Sequence, residues 1–270
     1  MSTLTALPGF KYLQVNSFQL KLIGIVLMVF DHIHQFFWMD GIPMWFTWIG
    51  RIVAPIFLFA SAEGFHYTRS RGKYLLHLYV GFLFMNGISF VVQQQFPSDN
   101  VLMNNIFGTL FLAVWYMWMM KMLKSSVTER SWRKGMVAAL GLLIPIGLSV
   151  VVLVALSADT PQVGIMYLSM LFPVPITVEG GYWFVLLGIA FYLLRRSRAL
   201  QIAALAGLSA FLVYNSGFNW IGEFQWMMVF AAIPIALYNR QKGRNMKYLF
   251  YVFYPAHIYL LYFLAYFLHK

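Results

Sequence analysis

The sequence predicts an all-α, polytopic transmembrane helix bundle of about nine spans. Composition comes first: 61% of the 270 residues are hydrophobic and only 10% charged, against about 25% charged in a soluble domain. The apolar runs are about 18–25 residues long and contain Gly and Pro, which suits helices crossing a ~30 Å hydrocarbon layer and not the short alternating segments of a barrel. The basic residues gather in the short loops after every second run, the pattern of cytoplasmic loops.

The spans fall near 18–38, 46–68, 74–95, 102–123, 133–157, 176–195, 199–216, 221–239 and 247–268. The first 17 residues carry Lys11, and no small-residue cleavage site follows the first run, so that run reads as a retained anchor. Arg69, Arg71 and Lys73 follow span two, and Lys121, Lys124, Arg130, Arg133 and Lys134 flank the loop after span four. Arg195, Arg196 and Arg198 follow span six; Arg240, Lys242, Arg244 and Lys247 follow span eight. The intervening loops hold Asp40, Asp99 and Asp159 and almost no Lys or Arg. Strict alternation then puts the N-terminus in the cytoplasm and the C-terminus outside. In the outer loop, the apolar stretch 163–172 is too short to cross and is followed by Pro173 and Pro175, so a re-entrant or interfacial segment near 163–175 is expected. No repeat or linker divides the chain, and residues 1–270 read as a single domain.

The same placement explains the net charge of +11 without a nucleic-acid partner; the expected partner is the lipid bilayer. The absence of cysteine excludes disulfides and thiolate nucleophiles.

Against this background the ionisable residues inside the spans stand out. Asp31 and His32 lie side by side in the stretch 20–38, where a carboxylate costs several kcal/mol (about 3 on insertion scales) unless it faces a polar cavity. Span one runs outward, which sets both in its outer half, and Arg51 lies just inside the outer end of span two, so the three can meet at one depth. Neighbouring helix residues project about 100° apart. Asp31 therefore shares a face with His34, or pairs with Arg51 across helices. A plain interhelical tie is the alternative to a functional role. Glu179 and Glu223, near the starts of spans six and eight, also belong to the outer side.

Glu63 and His66 form an i, i+3 pair at the inner end of span two, beside Arg69, Arg71 and Lys73. An interfacial pair and a contact to a cytoplasmic ligand both fit. His257 falls near the middle of span nine, after Tyr254 and Pro255, whose ring should kink the helix. A lone histidine in a span reads as a hydrogen bond to a neighbouring helix. Asn86, Asn104 and Asn105 read as neutral glue between helices. No metal site is expected: His32 and His34 point apart and His66 belongs to the other membrane face. Neither a serine nucleophile motif nor a phosphate-cradling glycine loop occurs.

Three motifs resemble the TraX family of membrane acetyltransferases: LKLIGIVLMVFDHIHQFF with Asp31 and His32, the Arg51-x3-Pro55-x-Phe57 span continuing into Glu63-Gly64-Phe65 and a basic turn, and the C-terminal Tyr254-Pro255-x-His257 span. They occur in the same order and cover both ends of the chain, whereas residues 96–240 add little beyond hydropathy. The founding member acetylates the N-terminal amine of a conjugative pilin subunit from acetyl-CoA, and the broader transmembrane acyltransferases that O-acetylate sugars are more distantly similar. The resemblance therefore implies a multi-pass enzyme of the bacterial plasma (inner) membrane. It would move an acetyl group from cytoplasmic acetyl-CoA to an amine or hydroxyl, on a pilin-like N-terminus or an envelope glycan, with no metal. In that reading His32 is the general base, Arg51 steadies the oxyanion or the acceptor, and Asp31 holds Arg51. Arg69, Arg71 and Lys73, with Glu63 and His66, would take the nucleotide end of the donor, and His257, Glu179 and Glu223 would relay protons or line the acceptor path. Two other classes fit the same residues: a proton-coupled transporter using Asp31, His32 and Glu223, or a non-catalytic envelope assembly partner.

Overall fold

The computed structural model describes residues 14–102, 105–158, 162–220, 222–244 and 247–270. The readings attached to Lys11, Asn104 and Asp159 lie outside the described residues. Among the described residues the regular elements are helices: α1 Ser17–Phe37, α2 Trp45–Gly50, α3 Val53–Tyr67, α4 Arg71–Gln95, α5 Ile106–Thr128, α6 Trp132–Ser157, α7 Gln162–Leu171, α8 Gly181–Leu193, α9 Arg198–Asn215, α10 Ala232–Ala236 and α11 Lys247–Leu268. Short 3₁₀ segments occupy Trp38–Asp40 and Gln225–Ala231. Seven helical stretches among the described residues are long and apolar enough to cross a membrane: Ser17–Asp40, Trp45–Tyr67, Arg71–Gln95, Ile106–Thr128, Trp132–Ser157, Arg198–Asn215 and Leu249–Leu268. The protein is an all-helical, multi-pass membrane protein.

The helices at 176–195 and 221–239 differ from the sequence expectation. α8 begins only at Gly181 and has 13 residues, roughly 20 Å at 1.5 Å per residue. Gly180 and Gly181 take φ of +69° and +59°, a left-handed turn that glycine alone adopts without strain and that keeps the preceding residues out of the helix. The second segment, Gln225–Ala236, is apolar but short, and it winds as 3₁₀ before it becomes α10. The expected re-entrant piece is α7, ten residues long. It stops two residues before Pro173, and the stretch leading into Pro173 and Pro175 is barred from helix by the proline rings.

Span two is also not one continuous helix. α2 ends at Gly50 and α3 starts at Val53, with a turn at Arg51 and Ile52. Pro55 is the cause. It has no N–H to give to the carbonyl four residues back, that of Arg51, and its ring suits the first turn of a new helix.

The chain folds into two compact units. The first contains the described residues up to Ala60, Phe96–Val101, and those from Leu193 onward. In it α1 packs against α2 and α11, and the 3₁₀ segment packs against α9 and α2. Its core is apolar and dense: Leu20, Ile56, Leu58, Phe59, Leu205, Met228, Ile235 and Tyr262 are fully buried. Asn16 opens α1 with a reciprocal cap, its Oδ1 taking the Gln19 N–H at 3.0 Å while Gln19 Oε1 takes the Asn16 N–H at 2.9 Å. A backbone bridge between Val15 and Tyr238 ties that start to the end of α10.

The second unit holds Ser61–Gln95 and Leu102–Tyr192. α5 is its axis, packed against α4 and α6, with Leu112, Ala113, Val114 and Met117 buried. α6 leaves Leu143, Ile144, Val150, Val151 and Val154 exposed, the apolar outer face that a lipid-facing helix presents. Neutral polar groups join the helices: Asn105 Nδ2 donates to Asn86 Oδ1 at 2.8 Å and Asn86 Nδ2 to the Met170 carbonyl at 3.0 Å. Tyr79 donates to the Leu171 carbonyl at 2.9 Å, and Trp115 Nε1 to that of Gly141 at 2.6 Å.

Candidate functional site

The first unit brings together two pairs of ionisable side chains. The break between α2 and α3 places Arg51 at the end of a short helix, where its side chain reaches three acceptors. Nη2 donates to Asp31 Oδ1 at 2.8 Å, forming an ion pair. Nη1 approaches Gln225 Oε1 at 3.4 Å, and Nε approaches the Thr47 carbonyl at 3.4 Å. A guanidinium carries five N–H donors, so among the described residues two remain for another acceptor. Asp31 comes this close because its neighbour across the helix pair is Gly50: a methyl group there would overlap the Asp31 carboxyl. His34, one turn beyond Asp31, meets the Thr47 hydroxyl at 2.8 Å, so α1 and α2 are joined by two polar contacts on one face.

The second pair lies between α1 and α11. His32 Nδ1 and His257 Nε2 are 2.8 Å apart, with ring centroids 4.9 Å apart. His257 Nδ1 in turn lies 2.7 Å from the Phe253 carbonyl, and its ring stacks on Phe253 at 4.9 Å. His257 is buried and His32 half-buried. Among the described residues, none bonds to His32 Nε2. Pro255 sits inside α11, which continues through it from Lys247 to Leu268; helices in lipid tolerate this where neighbours satisfy the freed carbonyl.

The remaining sequence-predicted residues are placed as follows. Glu223 belongs to the first unit, where its Oε1 accepts the Gln225 backbone N–H at 2.8 Å. It therefore braces the residue that faces Arg51. Glu179 belongs to the second unit; it precedes α8, and its backbone carbonyl accepts the Thr109 hydroxyl at 2.6 Å. Also in that unit, Glu63 is buried, His66 is exposed and edge-on to Tyr67 at 4.8 Å, and Arg69 and Lys73 are exposed. The Arg71 guanidinium lies over the Phe65 ring at 5.5 Å.

Thr47, Gly50, Gln225 and the Phe253 carbonyl are parts of the site that the sequence reading passed over. Thr47 and Phe253 each stand four residues before a candidate, Arg51 and His257, so the helix repeat carried a signal. Gln225 carried none, because its 3₁₀ segment was expected to be a regular span.

Comparisons with known proteins bear on the family of the chain. A 62-residue stretch is 37% identical to "Probable fimbrial assembly protein FimC, serogroup H1" of Dichelobacter nodosus, covering 22% of this chain. The match spans only 25% of that protein's length. No solved structure matches the chain. The family model described as "TraX protein" matches residues 17–265, a stretch that contains Asp31, His32, Arg51 and His257 alike, and the chain belongs to that family.

Proposed function

We propose that the protein is a membrane-embedded acetyltransferase, with acetyl-CoA as donor and an amine or hydroxyl as acceptor, in the bacterial plasma membrane. The observation that carries this reading is His32: an imidazole inside a span, one nitrogen engaged by His257 and the other unbonded among the described residues.

In the proposed step His32 Nε2 takes a proton from the neutral acceptor as the acceptor nitrogen or oxygen attacks the acetyl carbonyl carbon. Imidazole suits the task because its ordinary pKa of about 6.5 lies near working pH. The carbonyl oxygen becomes an oxyanion, and the two remaining Arg51 donors are suited to it. When the C–S bond breaks, the His32 proton passes to the leaving thiolate. The products are acetylated acceptor and CoA thiol, and His32 returns to its starting state. Asp31 fixes the guanidinium and balances its charge.

Membership of the TraX family and the likeness to a fimbrial assembly protein favour the N-terminal amine of a pilin-like subunit as acceptor, ahead of an envelope glycan. Arg69, Arg71 and Lys73 are proposed for the phosphates of the donor on charge alone.

The test is thiol release from acetyl-CoA by protein reconstituted in liposomes, with a pilin-like peptide bearing a free N-terminus. Release that requires the peptide, with acetyl found on its α-amine, supports the reading. No release with either amine or hydroxyl acceptors, together with no thermal stabilisation by CoA, removes it.

A further inference from the structure

We propose that His257 is a positioning residue that fixes the tautomer of His32, and that it is not a proton relay. The inference follows from bond polarity with both imidazoles neutral. The Phe253 carbonyl can only accept, so the 2.7 Å contact requires a proton on His257 Nδ1. A neutral His257 then offers a lone pair at Nε2. The 2.8 Å contact to His32 Nδ1 must be donated from the other side, which puts the His32 proton on Nδ1. The lone pair of His32 is left at Nε2, the nitrogen with no bond to any described residue. A backbone carbonyl on α11 thus selects, through two rings, which nitrogen of an α1 histidine is the base.

The same chain excludes a relay. A proton passed from His32 to His257 Nε2 would have to leave from Nδ1, and the recipient found there among the described residues is a peptide carbonyl, which does not hold it. The proton gained at His32 Nε2 must therefore depart from Nε2. In catalytic triads a carboxylate orients the imidazole in this way without becoming protonated; here a second imidazole anchored to the backbone takes that part.

What the lock does for catalysis rests on the acetyltransferase reading, but the lock itself is measurable without turnover. Long-range proton–nitrogen NMR correlations on protein carrying ¹⁵N-histidine in detergent micelles, with His32 assigned by its loss in His32→Gln, report the tautomer directly. Wild-type protein above the titration of its histidines is expected to show His32 with Nδ1 protonated. His257→Gln keeps an acceptor at the same place and should keep that tautomer. His257→Phe keeps the ring and removes the acceptor, and the Nε2-protonated form should appear. Turnover in His257→Phe should drop roughly 10²-fold in kcat with little change in KM, while His257→Gln recovers most of it. A wild-type His32 protonated at Nε2 overturns the proposal, and that result needs no variant to fold. An unchanged tautomer in His257→Phe overturns it equally. The expected tautomers in a protein that transfers no acetyl group would sink the enzymatic reading and leave the lock standing; acetyl transfer with the opposite tautomer would do the reverse.

Discussion

The two units of this protein both carry polar groups inside apolar helices, and they use them differently. In the second unit Glu63 is a buried ionisable group, but the hydrogen bonds described between helices run through neutral groups and end on backbone: Asn105 to Asn86 to the Met170 carbonyl, Thr109 to the Glu179 carbonyl, Tyr79 to the Leu171 carbonyl. Nothing in such a chain changes charge, so its effect is to hold helices in register. In the first unit the contacts run between ionisable side chains, Arg51 with Asp31 and His32 with His257, and donors on Arg51 and a lone pair on His32 are left over. A polar contact that ends on a carbonyl holds helices together, whereas one with unspent capacity on an ionisable group can do chemistry.

That contrast is sharpest for Arg51. Arg51→Lys keeps the charge but replaces a planar fork with a point charge that cannot serve Asp31, Gln225 and an oxyanion together. The expected loss in kcat is roughly 10²–10³-fold, the range for removing one oxyanion donor, with near-normal yield of folded protein. Turnover like wild type in Arg51→Lys would make the pair a structural tie and erase the distinction between the units. Removing the guanidinium altogether, as in Arg51→Met, leaves the Asp31 carboxylate without its partner. The pair is only part-buried, with Arg51 31% and Asp31 22% exposed, so the cost should fall below the roughly 3–5 kcal/mol of breaking a fully buried pair, and Asp31→Asn in the same chain should recover part of it. Thermal unfolding of the single and double variants compares the two.

A smaller effect is expected at Gly50. Gly50→Ala inserts a methyl where the Asp31 carboxyl lies, a small overpacking of about 1–3 kcal/mol, and it should lower kcat by displacing Asp31 and with it Arg51. Stability lost without any loss of turnover per folded molecule would mean that the Asp31–Arg51 geometry does not matter to the reaction. The smallest effect belongs to the second unit. Thr109→Val removes the hydroxyl held by the Glu179 carbonyl and should cost roughly 0.6 kcal/mol, the average for such contacts between membrane helices. Its turnover should stay unchanged. A large drop in activity there would blur the contrast from the other side.

Much of the fold was legible because membrane solvation is a simple filter: long apolar runs must be helices, and basic loops punctuate them. The Asp31–Arg51 contact was legible too, since two helices joined by a short loop put residues of matching depth side by side. The His32–His257 contact was not. The two residues are 225 positions apart, and hydropathy sets the depth of each span without saying which spans are neighbours. The break at Arg51 was written in Pro55, but the apolar run continues through it and hides the turn. The segment Gln225–Ala236, which opens as 3₁₀, is apolar like a span and roughly half as long as the ~20 residues a span needs. Composition cannot separate those two, and so Gln225 went unnoticed. At Gly180 and Gly181 the paired glycines mark a turn, which the apolar run from 176 onward hides from hydropathy alone.

The most direct test of the central claim is the turnover of His32→Ala, normalised to folded protein by thermal unfolding in the same micelles. If the imidazole held between α1 and α11 is the base, acetyl transfer from acetyl-CoA falls by roughly 10²–10⁴-fold while the unfolding midpoint stays near that of wild type. Transfer within about twofold of wild type, far short of the loss a general base explains, would contradict the account.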